Sequence, residues 1–195
     1  MKDKKYYVDF GPELLQLLGP NLYTNIYYVL GEIIANAYDA DAENVYIIYN
    51  SAKNSITIED DGNGMSYDEI NDKFLPIGVQ TRTNEFNTYT PVKKRKKMGR
   101  KGIGKLAALS VSDRIKVISQ KDGDKSGCVL SLDISQKNND GKYEIPSIDT
   151  TDICFHHIKD GENGSAIIME NSRYSIHKSI ESAKRNISLI FPFAC

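Results

Sequence analysis

Glu32-Ile-Ile-Ala-Asn36-Ala-Tyr-Asp39-Ala40 decides how this chain is read. It lies within Thr24 to Ala42, where Ile26, Val29, Leu30, Ile33, Ala37 and Ala40 recur at steps of three and four. That period puts them on one face of a helix. Glu32, Asn36 and Asp39 stand at i, i+4 and i+7, so the helix also carries a narrow polar stripe. The stripe borders the apolar face rather than opposing it. Two carboxylates and an amide at the margin of a core need partners or a task. Taken alone, the stretch also fits a solvated helix face.

Working outward, Val45-Tyr-Ile-Ile-Tyr49 and Ile56-Thr-Ile-Glu59 predict strands joined by a turn at Ser51-Ala-Lys-Asn54, an antiparallel hairpin. The second strand runs into Asp60-Asp61-Gly62-Asn63-Gly64-Met65. Glycines at alternate positions let a backbone turn sharply and a ligand approach closely. A buried carboxylate at Asp60 could accept a hydrogen bond from an exocyclic amine. A plain Asp-Gly turn is the competing reading. Tyr67 to Leu75 predicts a helix, and residues 76–98 form a polar stretch of a length often used for functional lids. A helix is expected to start at Gly104, short strands at Ile115–Ser119, Val129–Asp133 and Ala166–Glu170, a short helix at Pro12–Leu18 and a closing helix at Ser175–Ile190. Lys137 to Asp160 has no clear period. Helices and strands are mixed without regular alternation, which predicts an α+β two-layer sandwich rather than a doubly wound parallel sheet.

Gly99-Arg100-Lys101-Gly102-Ile103-Gly104-Lys105-Leu106 is the third informative stretch. It nearly matches the phosphate loop G-x-x-x-x-G-K-[ST]. Leu106 stands where that loop needs a magnesium-binding hydroxyl, and no apolar strand precedes it. The same glycines can still present backbone N–H groups to phosphate where they open a helix, or they can form a flexible hinge. Lys93, Lys94, Arg95, Lys96, Lys97, Arg100 and Lys101 crowd the approach to this loop. Such a cluster repels itself unless an anion is near. It could attract a triphosphate, contact a DNA or RNA backbone, or have no specific role.

At 195 residues, with net charge −1, the chain fits one globular domain whose surface as a whole advertises neither nucleic acid nor membrane. No apolar run has transmembrane length, and Met1 to Phe10 lacks a signal core. Cys128, Cys154 and Cys195 lack metal-ligand spacing, so they predict reduced thiols and a cytoplasmic location. Cys154-Phe155-His156-His157 does not have zinc-site pairing. The apolar ending Ile-Phe-Pro-Phe-Ala-Cys suggests a fragment of a longer protein.

The three stretches, in this order, resemble the GHKL superfamily of ATP-binding domains: gyrase B-type topoisomerases, heat-shock chaperone ATPases, sensor histidine kinases and mismatch-repair ATPases. Glu32 to Ala40 is similar to its E-x-x-x-N-A-x-D-A box, Asp60 to Gly64 to its D-x-G-x-G, and Gly99 to Gly104 to its G-x-x-G-x-G. Gly164-Ser165-Ala-Ile-Ile-Met169 resembles the late strand that completes the adenine pocket. The box with Asp39-Ala40 is most similar to the hydrolysing, mismatch-repair and microrchidia-like branches.

The resemblance implies a Bergerat-type fold, with a mixed, mostly antiparallel sheet covered on one face by helices, over residues 1–195. It implies ATP and Mg²⁺ as cofactors. By this resemblance Glu32 is the catalytic base, Asn36 the Mg²⁺ ligand and Asp60 the adenine acceptor, assisted by Ser165. Gly62, Gly64 and Met65 line the pocket. Gly99, Arg100, Lys101, Gly102, Ile103, Gly104 and Lys105 meet the phosphates, and Asp39 is structural or acts through water. Residues of about 76–101 would be the ATP lid, and ATP would drive homodimerisation. The implied function is Mg-dependent ATP hydrolysis in a larger machine, whose task stays open between DNA repair, chromosome organisation, phage defence and chaperoning. Alternatives are a nucleotide-gated binding module with negligible hydrolysis, a histidine-kinase-like phosphotransfer domain, and an unrelated α+β interaction domain.

Overall fold

The computed structural model describes residues 5–8, 25–76, 88–98, 104–131, 142–174 and 180–190. In chain order the elements are β1 (Tyr6–Val8), α1 (Ile26–Asp39), β2 (Val45–Asn50), β3 (Ser55–Asp60) and α2 (Tyr67–Glu69), which continues as a π-helical turn at Ile70–Phe74. A 3-10 segment (Gly104–Ser110), β4 (Arg114–Lys121), β5 (Asp124–Ser131), β6 (Tyr143–Ile145), a 3-10 turn (Thr150–Asp152), β7 (Gly164–Glu170) and α3 (Ile180–Ile190) follow.

Five strands form one sheet in the order β2-β3-β7-β4-β5, and β1 pairs separately with β6. Every pairing in the five-stranded sheet is antiparallel. The register lines up side chains in rows across the middle strands. Ile56, Met169 and Ile115 form one row, and Ile58, Ile167 and Val117 the next. All six are buried in the main core. Alternation along each strand puts them on one face. Each such fully buried side chain contributes roughly 1.5–3 kcal/mol.

Helix α1 covers this face. Asn25 caps it by accepting from Tyr27 N, and Ile26, Val29, Leu30, Ile33 and Ala37 face inward as their spacing predicts. Ala107, Ala108, Leu109 and Val111 join the same core. The other face is partly covered by the stretch that had no sequence period. Ile153 packs there with Ile118 and Ala166, flanked by Ile148 and Phe155.

The α+β two-layer architecture is the one expected. Elements differ in detail. The 3-10 geometry of Gly104–Ser110 replaces an expected α-helix, and β5 starts earlier than Val129, at Asp124. Asp122 (φ 51°) and Gly123 (φ 85°) make the tight β4–β5 turn that sets this start. The short strands β1 and β6 lack a readable period. Of residues 76–98, the part 88–98 is a small hairpin: Thr90 N donates to Arg95 O and Lys97 N to Thr88 O. The expected helix at Pro12–Leu18 lies outside the described residues.

Candidate functional site

The two apolar rows end abruptly. The next row across β3, β7 and β4 is Asp60, Ser165 and Ser119. Strand alternation puts all three on the face that carries the core. The core face thus turns polar at one end of the sheet, near the C-terminal end of α1.

Asp60 remains partly accessible. Its carboxyl is nonetheless closely surrounded, and desolvation pushes it up to about 7. The Gly62 N–H donates to Oδ1 at 3.0 Å and opposes that rise, while Asp61 and Glu59 add to it. Asp61 itself faces away from this role. It accepts from Glu43 N (2.7 Å) and Asn44 N (2.8 Å), so it ties the turn to the segment after α1.

The two glycines of this turn are required by space. A Cβ on Gly62 would lie 2.8 Å from both Ala40 O and Asp60 Oδ1. Gly64 has φ +63°, and a Cβ there would sit 2.1 Å from Gln120 O. Asn63 N donates to Ala40 O at 2.8 Å, which docks the turn on the end of α1. Met65 N donates to Ser119 Oγ at 2.7 Å. Ser66 then starts α2 through a capping box with Glu69.

On α1, Glu32, Asn36 and Asp39 are all partly buried, at the border of the apolar face. Asn36 Nδ2 is buried and lacks a hydrogen-bond partner among the described residues. Asp39 Oδ1 accepts from Met98 N at 2.7 Å. That bond fixes the backbone immediately before Gly99. Gly99, Arg100, Lys101, Gly102 and Ile103 lie outside the described residues. The backbone of Gly104 and Lys105 opens the 3-10 segment beneath α1.

Ser119 is a member of this polar row that the sequence reading missed. Its signal is a period: Ile115, Val117 and Ser119 share one face of β4, and the third is polar where two apolar residues precede it. Asp41 was missed as well. It has φ 64° and is buried. It accepts from Thr90 Oγ1, from Val92 N (2.9 Å), Lys93 N (3.1 Å) and Asn63 Nδ2 (3.2 Å). Burial raises its carboxyl, but these four donors outweigh that and bring it down to about 2.

Asp41 therefore clamps the 88–98 hairpin to the glycine turn. The basic run divides accordingly. Lys93 pairs with Glu43 at 2.5 Å. Arg95 donates to Ala42 O at 2.8 Å and lies 4.9 Å over the Tyr38 ring. Lys94, Lys96 and Lys97 have no such anchor among the described residues. On the far face of the sheet, buried Glu59 accepts from the backbone N–H groups of His156, His157 and Ile158 at 2.6–2.9 Å. Those histidines thus belong to a loop anchor. No group of three or more His, Cys, Asp or Glu among the described residues could hold a metal ion. No helix among them is long and apolar enough to cross a membrane.

The model of the family described as histidine kinase-, DNA gyrase B-, and HSP90-like ATPase matches residues 23–165. The match runs from before α1 to Ser165. Over 130 residues the chain is 41% identical to a protein of Herpetosiphon aurantiacus described as a type II restriction enzyme, HgiDII, covering 67% of this chain and 20% of that protein. It is 32% identical over 174 residues to the chaperone protein HtpG of Vesicomyosocius okutanii, covering 77% and 28% of the two chains. The HtpG of Treponema denticola is 25% identical over 210 residues, covering 92% and 32%. The chain thus spans less than a third of the length of each of these relatives. With the boxes of α1 and β3 and the late strand β7 set around one polar row, the chain belongs to the histidine kinase-, DNA gyrase B- and HSP90-like ATPase family, and that membership supports ATP binding.

Proposed function

We propose that this chain is a Mg²⁺-dependent ATPase domain that binds ATP over the Asp60–Ser165–Ser119 row. The observation that carries the reading is the row itself. A core-facing sheet surface gives up apolar packing for a carboxylate and two hydroxyls, beside a turn whose glycines leave no room for side chains. A few convergent polar groups at the margin of an apolar core suit a purine ring.

In this reading Asp60 accepts from the adenine amine, and Gly62, Gly64 and Met65 wall the ring. The residues present also fit a hard cation. Asn36 offers an amide whose other atom is buried without a partner among the described residues, and amide oxygen suits Mg²⁺. Bound Mg²⁺ would offset the charge of the phosphates. Glu32, one helical turn before Asn36, would take the proton of an attacking water. The water oxygen then bonds to the γ-phosphorus as the bond to the β,γ-bridging oxygen breaks.

Gly99 to Lys105 would face the phosphates, and Asp39 supports this by fixing Met98 at the loop's approach. Closure of a lid that includes the 88–98 hairpin and ATP-gated pairing of two copies are further parts of the proposal. They rest on the family resemblance. A DNA-associated role is favoured by the likeness to HgiDII and by Lys94, Lys96 and Lys97, which have no anchor among the described residues.

The test is calorimetric titration with Mg-ATP, with Asp60→Asn as the control. Micromolar or tighter binding by the wild type, lost in the variant, is expected. Equal binding by both would remove Asp60 from the site. Turnover that vanishes in Glu32→Ala while binding persists would separate an ATPase from a nucleotide-gated module.

A further inference from the structure

Ser119 is fully buried, and its hydroxyl has three neighbours within hydrogen-bond distance. They are Gly164 O at 3.0 Å, Met65 N at 2.7 Å and Ser165 Oγ at 2.8 Å. A serine hydroxyl has one proton and two acceptor lone pairs. Gly164 O can only accept, so it takes the Ser119 proton. Met65 N–H can only donate, so it fills one lone pair. The remaining lone pair faces Ser165, and that contact requires Ser165 to donate. Ser165 thereby spends its single proton on Ser119. Only acceptor lone pairs remain on its partly exposed side, in the same row as Asp60.

We infer that Ser119 is a positioning residue that fixes Ser165 as an acceptor toward the ligand and so favours a 6-amino purine over a 6-oxo purine. The inference rests on the nucleotide reading given above. A 6-amino group, or a water that donates to Ser165, meets acceptors at both Asp60 and Ser165. A 6-oxo group meets acceptors with an acceptor. Without the Ser119 oxygen, the Ser165 hydroxyl is free to rotate and donate to an oxo group.

The test compares Mg-ATP with Mg-ITP by calorimetry, because the two differ only at the purine's six position and the adjoining N1 proton. The wild type is expected to prefer ATP. Ser119→Ala should lower the ATP-to-ITP affinity ratio about tenfold, the scale of one polar mismatch in a buried site. Losing the Met65 and Gly164 contacts loosens the pocket for both nucleotides alike, so the ratio reports hydroxyl orientation. Ser165→Ala, which keeps Ser119 and its two backbone bonds, should lower the ratio too. In that background Ser119→Ala should have no further effect.

An unchanged ratio in Ser119→Ala overturns the inference. Should that variant not fold, an unchanged ratio in Ser165→Ala does the same. A wild type that binds neither nucleotide removes the site reading and this inference with it. Binding of ATP with unchanged ratios removes only the role of Ser119.

Discussion

Burial pushes the Asp60 carboxyl up to about 7 because the folded chain surrounds it with few donors. In the unfolded chain it titrates near an ordinary aspartate, about 3.9. Between these values the folded state binds more protons at this site than the unfolded state does. Its contribution to stability is therefore complete below about pH 4 and is lost as pH rises through 7. Recognition runs the other way, since the ionised carboxylate is the stronger acceptor for an amine and carries no proton to oppose it. Asp60→Asn keeps the shape and removes the buried charge. At pH 8 it should unfold at a higher temperature than the wild type, by the equivalent of about 1–3 kcal/mol. At pH 4 the two should melt together. Wild-type ATP affinity should rise as pH passes through about 7, and the variant's should stay low throughout. The variant also controls for titration of the nucleotide's own phosphates. Scanning calorimetry and titration at pH 4, 6 and 8 check both halves, and equal melting at pH 8 would mean that the carboxylate is well solvated.

At the scale of elements, the 88–98 hairpin has one side chain, Asp41, as its most heavily bonded anchor. It contains few residues and buries little apolar surface: Tyr89 and Val92 are exposed. Its backbone is held by Asp41, which accepts from Val92 and Lys93 amides and from the Thr90 hydroxyl. Asp41→Ala removes these acceptors and leaves amides that water must satisfy. Hydrogen exchange at Val92 and Lys93 should accelerate at least tenfold, and global stability should fall by about 1–3 kcal/mol. The stabilising charge is present above the ordinary aspartate range and lost as pH falls toward about 2, so the wild-type hairpin should loosen between roughly pH 4 and 2. Unchanged exchange in the variant would place the anchor elsewhere.

This hairpin also marks where sequence stops being legible. The face of α1 and the strands β2, β3 and β7 follow directly from apolar periods of 3.6 and 2. The polar stripe and glycine turn stood out as a candidate site for the same reason, as exceptions to those periods. Asp41, by contrast, looks like one more surface aspartate until the chain brings Thr90 and Val92 to it across some fifty residues. The loop of residues 153–158 is similar, because its anchor is Glu59, on the hidden face of a strand whose sequence only alternates.

For the whole molecule, net charge is −1 and gives no hint of a polyanion partner. The fold alters this by sorting the basic run. Glu43 offsets Lys93, and Arg95 is committed to Ala42 O and the Tyr38 ring. Lys94 and Lys96 are exposed and Lys97 is half-buried. Lys94 is held at φ 53° at the hairpin's turn. Three cations on one hairpin can neutralise about three phosphates. Each neutralised phosphate adds about −0.9 to the slope of log affinity against log salt. A DNA-associated domain should therefore bind a duplex oligonucleotide weakly, with a slope near −3. Exchanging Lys94, Lys96 and Lys97 together for Gln should flatten that slope toward zero and leave Mg-ATP affinity within about twofold. Fluorescence anisotropy between 50 and 200 mM salt reads the first quantity, and calorimetry reads the second. If the triple variant instead loses ATP affinity, and duplex binding is absent from the wild type, the lysines serve the triphosphate. The hairpin then acts on the nucleotide held by the same chain, because Asp39 already joins its last residue, Met98, to the helix that carries Glu32 and Asn36.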